Sequence, residues 1–293
     1  MDITNKKMLS VLQTYDVETG ERKVLKKFEE HIEAPNWSMD GSYLVYNSNG
    51  HIFRYDLATG VSALIPTGVC TRCNNDHVLS RDGRWMAISA GTDEDGWSKV
   101  WTVSIEGGEP RQITPLKPSY LHGISPDGST LAYCADRNGN FDVYTIPADG
   151  SAPEKRLTTA EGLDDGPEYS PCGNYIWFNS VRSGLMQAWR MRADGSEQTQ
   201  MTHDEANNWF PHISPDGRRV VFVTYYVGDV APGDHPANKN IRIRMMNADG
   251  SDVTTLIATD PDKGELGGQG TMNVNSWAPD SKRFAFVTYE FVD

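Results

Sequence analysis

One short phrase, Ser-x-Asp-Gly with an apolar residue before it and a β-rich run behind it, constrains the fold of this chain more than any other feature. It stands as WSMDG at Ser38, LSRDG at Ser80, ISPDG at Ser125, YSPCG at Ser170, ISPDG at Ser214 and WAPDS at Ala278, at intervals of 42, 45, 45, 44 and 64 residues. Behind each anchor comes an apolar strand: YLVYNS, RWMAISA, TLAYCAD, YIWFNSV, RVVFVTY and RFAFVTYE. A third strand ends at an acidic-Gly or Thr-Gly turn, as in FDVYTIPADG or HIFRYDLATG, and a short fourth strand follows. Short strands at a period in the forties, four to the unit, spell a β-propeller.

The strand count closes the ring. Six inner pairs face only five outer pairs, because RFAFVTYEFVD has nothing after it. The missing pair is at the other end, where SVLQTYDVETG and ERKVLKKF repeat the pattern of a third and fourth strand. The sequence therefore predicts an all-β, six-bladed β-propeller with four-stranded antiparallel blades. It forms one domain over residues 1–293, and the N-terminal strands of 8–28 complete the last blade against 282–290. Such closure leaves no unpaired edge.

The anchor, the AY/VF strand behind it and the ADGS turn resemble the WD40-like repeats of the TolB propeller family over nearly the whole chain. This resemblance implies the fold; propellers host unrelated activities, so function must come from a site. TolB itself is periplasmic and carries an extra N-terminal domain. The propeller of prolyl oligopeptidases is similar too, but no G-x-S-x-G elbow occurs here, which argues against a serine peptidase.

Composition narrows the partners. With 27 Lys and Arg against 40 Asp and Glu the formal charge is −13, which disfavours nucleic acid and anionic membrane surfaces. No apolar run approaches the roughly 20 residues of a membrane span, and the first residues lack the apolar core of a signal peptide. A cytoplasmic location is the expectation. Four cysteines are too few to staple such a chain. Cys70-x-x-Cys73 with His77 has no second CxxC beside it, so reduced thiols are favoured over a metal or redox site.

Strand direction sorts the loops onto two faces. The S-x-D-G and A-D-G turns share one, with stereotyped turn chemistry. The lead-in segments EAPNW, CNNDHVL, SYLHGI, GLDDGPEY, EANNWFPHI and GTMNVNSW share the other and are individual, polar and aromatic. Residues two and three places before each anchor, Asn36, His77, His122, Glu168, His212 and Asn275, are expected to ring the mouth of the central channel. Three histidines and a carboxylate there suit a divalent ion (Mn, Zn, Fe or Ca) on His77, His122 and His212, and equally a polar channel whose histidines are simply hydrogen-bonded. His122, His212 and Glu168 are the candidate catalytic groups. Arg72, Asn74, Asn75, Asp76, Tyr120, Asp164, Asp165, Asn208, Trp209, Phe210 and Asn273 are the candidate wall, a mixture suited to a sugar or a peptide. A turn role for Asp164 and Asp165 is equally open.

Other features carry bland readings. Arg137 and Arg182 occupy matching repeat positions, so a structural role stands at least level with a ligand contact. DRNGNFD lacks the distal Glu of an EF-hand and reads as a hairpin turn. The fifth unit has about 20 extra residues, placed in 226–240 and 260–273 on the individual face, where long loops are functional. His235 in the first of them could reach over the pocket, although a solvated loop histidine is the favoured reading.

Among propellers of this kind the chain is also similar to oligogalacturonate lyases. They bind a divalent metal through channel-mouth histidines and a Gln, and they have one more blade. That resemblance implies His77, His122 and His212 as ligands, with Glu168 or Gln269 in place of the Gln. Two functions stay open. One is a metal-dependent lyase acting on a small oligosaccharide or sugar acid, in which the ion acidifies a C–H next to a uronate carboxylate. The other is a non-catalytic TolB-like propeller that binds a protein partner or a small ligand.

Overall fold

The computed structural model describes residues 7–292. Each S-x-D-G phrase folds as a self-bonded turn. In the first, Ser38 Oγ donates to Asp40 Oδ1 at 2.8 Å, Ser42 N donates to the same oxygen at 3.0 Å, and Tyr43 N donates back to Ser38 Oγ at 3.0 Å. The fourth position lies in the left-handed region, φ 76° at Gly41 and 73° at Gly217, which is why glycine recurs there. The sixth turn holds the same conformation with Ser281 (φ 60°).

Six four-stranded sheets result, as expected. Blade 1 holds strands Glu33–Trp37, Tyr43–Ser48, His51–Asp56 and Ser62–Ile65. Blades 2 to 5 repeat this arrangement from inner strands Arg72–Leu79, Ser119–Ile124, Asp164–Tyr169 and Asn207–Ile213. The second strand of each of these blades is almost entirely buried, Leu44, Ile88, Tyr133, Phe178 and Phe222 among them, and forms the apolar core between neighbours. Burial of this kind is the main stabilising term of the fold.

Blade 6 is shared between the two ends of the chain. Strand Lys7–Asp16 pairs antiparallel with Arg283–Val292 through ten consecutive partners, and Arg22–Phe28 lies outside it. Its fourth strand departs from expectation, being the two-residue Glu265–Leu266 paired with Glu290 and Tyr289. Residues 271–277 do not form a regular strand, but touch the blade through Val287 N→Thr271 O, Ala285 N→Ser276 O and a Trp277–Phe284 bridge. Asn273 Oδ1 instead accepts from Gly270 N and Asn275 Oδ1 from Trp277 N, and such local bonds compete with a strand ladder.

The two long loops near blade 5 are laced together. Lys239 and Gly267 exchange backbone hydrogen bonds at 2.8 Å, and Tyr225 Oη donates to Pro236 O at 2.9 Å. At Gly268 (φ 117°) an added Cβ would stand 2.2 Å from Pro236 O, so only glycine permits this approach.

Candidate functional site

In blades 1 to 5 the inner strand carries a register shift just before the anchor, between Glu33/Asn36, Cys73/His77, Leu121/Gly123, Asp165/Glu168 and Trp209/His212. The bulges place Ala34 and Phe210 at φ 52° and 55°, re-aiming side chains within the channel. They also divide the channel by depth. Two cavities lie along it, and His122 lines both.

The first cavity, about 440 Å³, opens among the individual loops. Its polar lining comes from residues four to six places before the anchors: Asn74, Asn75 and Asp76 of blade 2, Tyr120 of blade 3, Asp165 of blade 4 and Asn273 of blade 6. Phe210 of blade 5 closes one wall and stacks on His122 at 5.8 Å between ring centres. The second cavity, about 360 Å³, opens on the opposite face between the stereotyped turns, with Met39, Arg81 and Pro215 at its rim.

His122 Nε2 stands 3.2 Å from Asp165 Oδ1 and 3.8 Å from Asp76 Oδ1. Burial opposes charge on this imidazole, yet the two carboxylates outweigh it and hold its pKa up at about 9. Asp165 is opposed by burial as well, but His122 holds it down at about 2. Asp76 goes the other way: burial dominates and raises it to about 6. The floor is therefore a carboxylate–imidazolium–carboxylate row drawn from three consecutive blades.

Of the six ring positions predicted to share one concavity, Asn36, His122, Glu168 and Asn275 share the second cavity, and only His122 also reaches the first. His77 and His212 line neither cavity. The prediction placed these residues at the wrong depth. The inner strand runs from the individual face toward the turns, so positions adjacent to the anchor lie near the turn face. Glu168 accepts from His212 Nδ1 at 2.6 Å, Asn275 Nδ2 at 2.6 Å and Ile213 N at 3.1 Å. Asn36 Nδ2 donates to Asn275 O. These side chains tie blades 1, 4, 5 and 6 together.

The wall is recovered in larger part. Asn74, Asn75, Asp76, Tyr120, Asp165, Phe210 and Asn273 are all in the first cavity. Asp164 and Asp165 begin a strand rather than a turn, and strand alternation separates them: Asp165 faces His122, while Asp164 accepts from Arg182 at 2.7 Å. With Asp164, three further candidates lie elsewhere. Arg72 is on the exposed rim beside Asp93. Asn208 is buried against Gln187, Asp204 and Thr224. Trp209 is fully buried in the core. Arg137 is structural, donating to Pro118 O at 2.7 Å and pairing with Glu154. The DRNGNFD segment is a hairpin turn, with Gly139 N donating to Asp136 Oδ1.

His235 corrects its solvated reading. The laced loops carry it over the first cavity, where its ring meets those of Trp209 and Phe210 at 4.4 and 5.3 Å. Burial lowers its pKa. Gln269 and Gly233 arrive on the same loops. Cys134, Phe141 and Leu163 also line the cavity and were not foreseen. Phe141 had a signal, since it follows the RNGN hairpin on the individual face. Cys134 sits mid-strand in an apolar run and had none.

A shared divalent ion does not fit the three histidines. His212 spends both ring nitrogens, on Glu168 and on Met272 O at 3.1 Å. His77 Nε2 faces Val45 O at 3.5 Å, and burial drops its pKa to about 4. Among the described residues no group of three or more His, Cys, Asp or Glu side chains is arranged to hold a metal ion. Cys70 and Cys73 are buried free thiols, pushed by burial up to about 12 and about 11, so neither offers a thiolate.

The family profile of the TolB β-propeller domain matches residues 117–272. An uncharacterised protein of Agrobacterium fabrum is 44% identical over 283 residues, covering 96% of this chain and 93% of that protein. The Tol-Pal system protein TolB of Francisella tularensis subsp. tularensis is 26% identical over 211 residues; the match covers 69% of this chain and 47% of that protein. This chain thus aligns with about half the length of those TolB relatives. A solved TolB-like structure from Agrobacterium tumefaciens superposes with a TM-score of 0.90 at 43% identity, covering 98% of this chain and 99% of that one. An oligogalacturonate lyase in complex with manganese superposes at 0.55 with 15% identity, covering 91% and 80%, a likeness of fold alone.

Proposed function

The chain belongs to the TolB β-propeller family, and on that premise we propose that it is a non-catalytic binding propeller that holds a protein partner on its individual-loop face. The observation that carries this reading is the first cavity. It is a concave mouth of about 440 Å³ whose wall is drawn from blades 2 to 6 and roofed by the two long loops. Concave sites with a few convergent polar groups are where such folds receive ligands. The Francisella relatives are Tol-Pal system proteins, which supports a protein as the ligand class.

The lyase reading finds less support. It requires three histidines with free nitrogens around one point, but His212 directs both of its nitrogens to protein partners, and neither His77 nor His212 lines a cavity with His122. A photo-crosslinking residue placed at Asn74 or Phe141, on the mouth, tests the proposal against one placed at Met39 or Arg81, on the turn face. The expected result is one protein captured from the mouth positions alone, which the purified chain then binds in isolation. Capture from the turn face alone, or elimination activity on short uronides with no partner, would overturn it.

A further inference from the structure

The ionisable groups of the first cavity do not balance. Asp76 and Asp165 bring two negative charges and His122 one positive charge. Burial disfavours charge on His235, and its ring packs on Trp209 and Phe210 rather than pairing with either carboxylate. One carboxylate is left over, and the hydrogen bonds identify it as Asp76. Its side chain is more than nine-tenths buried. Its Oδ2 accepts from Asn74 Nδ2 at 2.7 Å, but its Oδ1 accepts no hydrogen bond among the described residues, with His122 Nε2 no nearer than 3.8 Å. A buried carboxylate short of a counter-charge is costly until a cation completes it.

The walls suit the same ligand. Tyr120, Phe141 and Phe210 line the cavity that holds the carboxylates, and aromatic rings attract ammonium and guanidinium groups. Leu163 offers apolar surface to an aliphatic stem. The chain's charge of −13 draws cations toward it from solution. We propose that the cavity is a recognition site for an organic monocation, the Lys or Arg side chain of the protein partner, seated against Asp76 and Asp165 and flanked by the aromatic walls. This rests on the partner-binding reading and names the side chain that the mouth selects.

Binding should carry a proton signature. Asp76 is faced by His122 and Asp165 across the cavity and by Glu33 from blade 1, while Tyr120 stands close enough to feel its charge. Burial raises Asp76 to about 6, so a cation that favours the ionised form expels its proton near that pH.

The experiment is calorimetric titration of the whole chain with Nα-acetyl-lysine and Nα-acetyl-arginine N-methylamides, against their norleucine and citrulline counterparts. Methylammonium and guanidinium ions serve as the non-peptide source. One cationic amide is expected to bind at least tenfold tighter than its neutral counterpart and than the bare ion, and Asp76→Asn to lose at least tenfold. In wild type, titrations at pH 6 in buffers of different ionisation enthalpy are expected to show release of up to about half a proton, a reading independent of whether the variant folds. Equal affinity for the neutral amides, or no proton release, overturns the inference. Bare ions binding as tightly as the amides overturns the side-chain source. If mouth cross-links form while no cation binds, this inference falls and the partner reading stands; if neither occurs, both fall.

Discussion

Glu168 gives the sharpest stability test, because one carboxylate serves three donors from two other blades. Glu168→Ala strips the acceptors from His212 Nδ1, Asn275 Nδ2 and Ile213 N at once. Each buried donor left bare costs about 1–3 kcal/mol, and three are stripped together. Asn275 Nδ2 keeps its bond to Ile213 O and water enters part of the space, so the expected loss is about 4 kcal/mol. For a chain of this size that corresponds to a fall in Tm of about 6–7 °C. Glu168→Gln keeps one oxygen for Ile213 N and Asn275, and its amide can donate to a neutral His212 whose other nitrogen faces Met272 O. It should cost only about 1 kcal/mol. Urea unfolding followed by tryptophan fluorescence, with unchanged m-values, reads both differences. A Glu168→Ala protein within about 1 kcal/mol of wild type would refute the reasoning. So would a Gln variant as damaged as the Ala one, since charge rather than hydrogen-bond supply would then be at stake.

Deleting residues 1–28 removes the ten-residue ladder with Arg283–Val292 and the strand outside it, leaving an open edge. The truncated chain should aggregate, and a soluble monomer on size-exclusion chromatography would contradict closure by shared strands. His122 makes stability depend on alkaline pH. Its folded value of about 9 lies above the ordinary 6.5, so its contribution is fully present below pH 6.5 and is lost as pH rises through 9. Wild-type Tm should decline across that window and His122→Asn should not. Parallel curves for the two proteins would show that the imidazole is not held charged by its carboxylates.

The repeat determined the architecture because its signals are local. A Ser–Asp pair closing on its own backbone, a glycine at positive φ and an apolar run behind them specify turn and strand within six or seven residues, whatever lies across the ring. Counting such units shows six blades, and the surplus pair at the start shows how they close. The wall residues Asn75, Asp76, Tyr120, Asp165 and Asn273 were legible for the same reason, being polar or aromatic where a structural strand needs neither.

Only the tertiary structure decided depth and pairing. Whether a side chain two places before an anchor faces the mouth or the turns depends on the bulge in the inner strand and on the direction in which that strand crosses the ring. A sequence pattern carries no such coordinate, so His212 and Glu168 read as site residues and are instead bonded to each other near the far end. His235 is the converse. Its position over the cavity comes from Lys239 and Gly267 bonding across loops almost thirty residues apart, which no local pattern records. The charge state of the cavity was also beyond the sequence, because Asp76, His122 and Asp165 act on one another only once three blades have brought them within 4 Å.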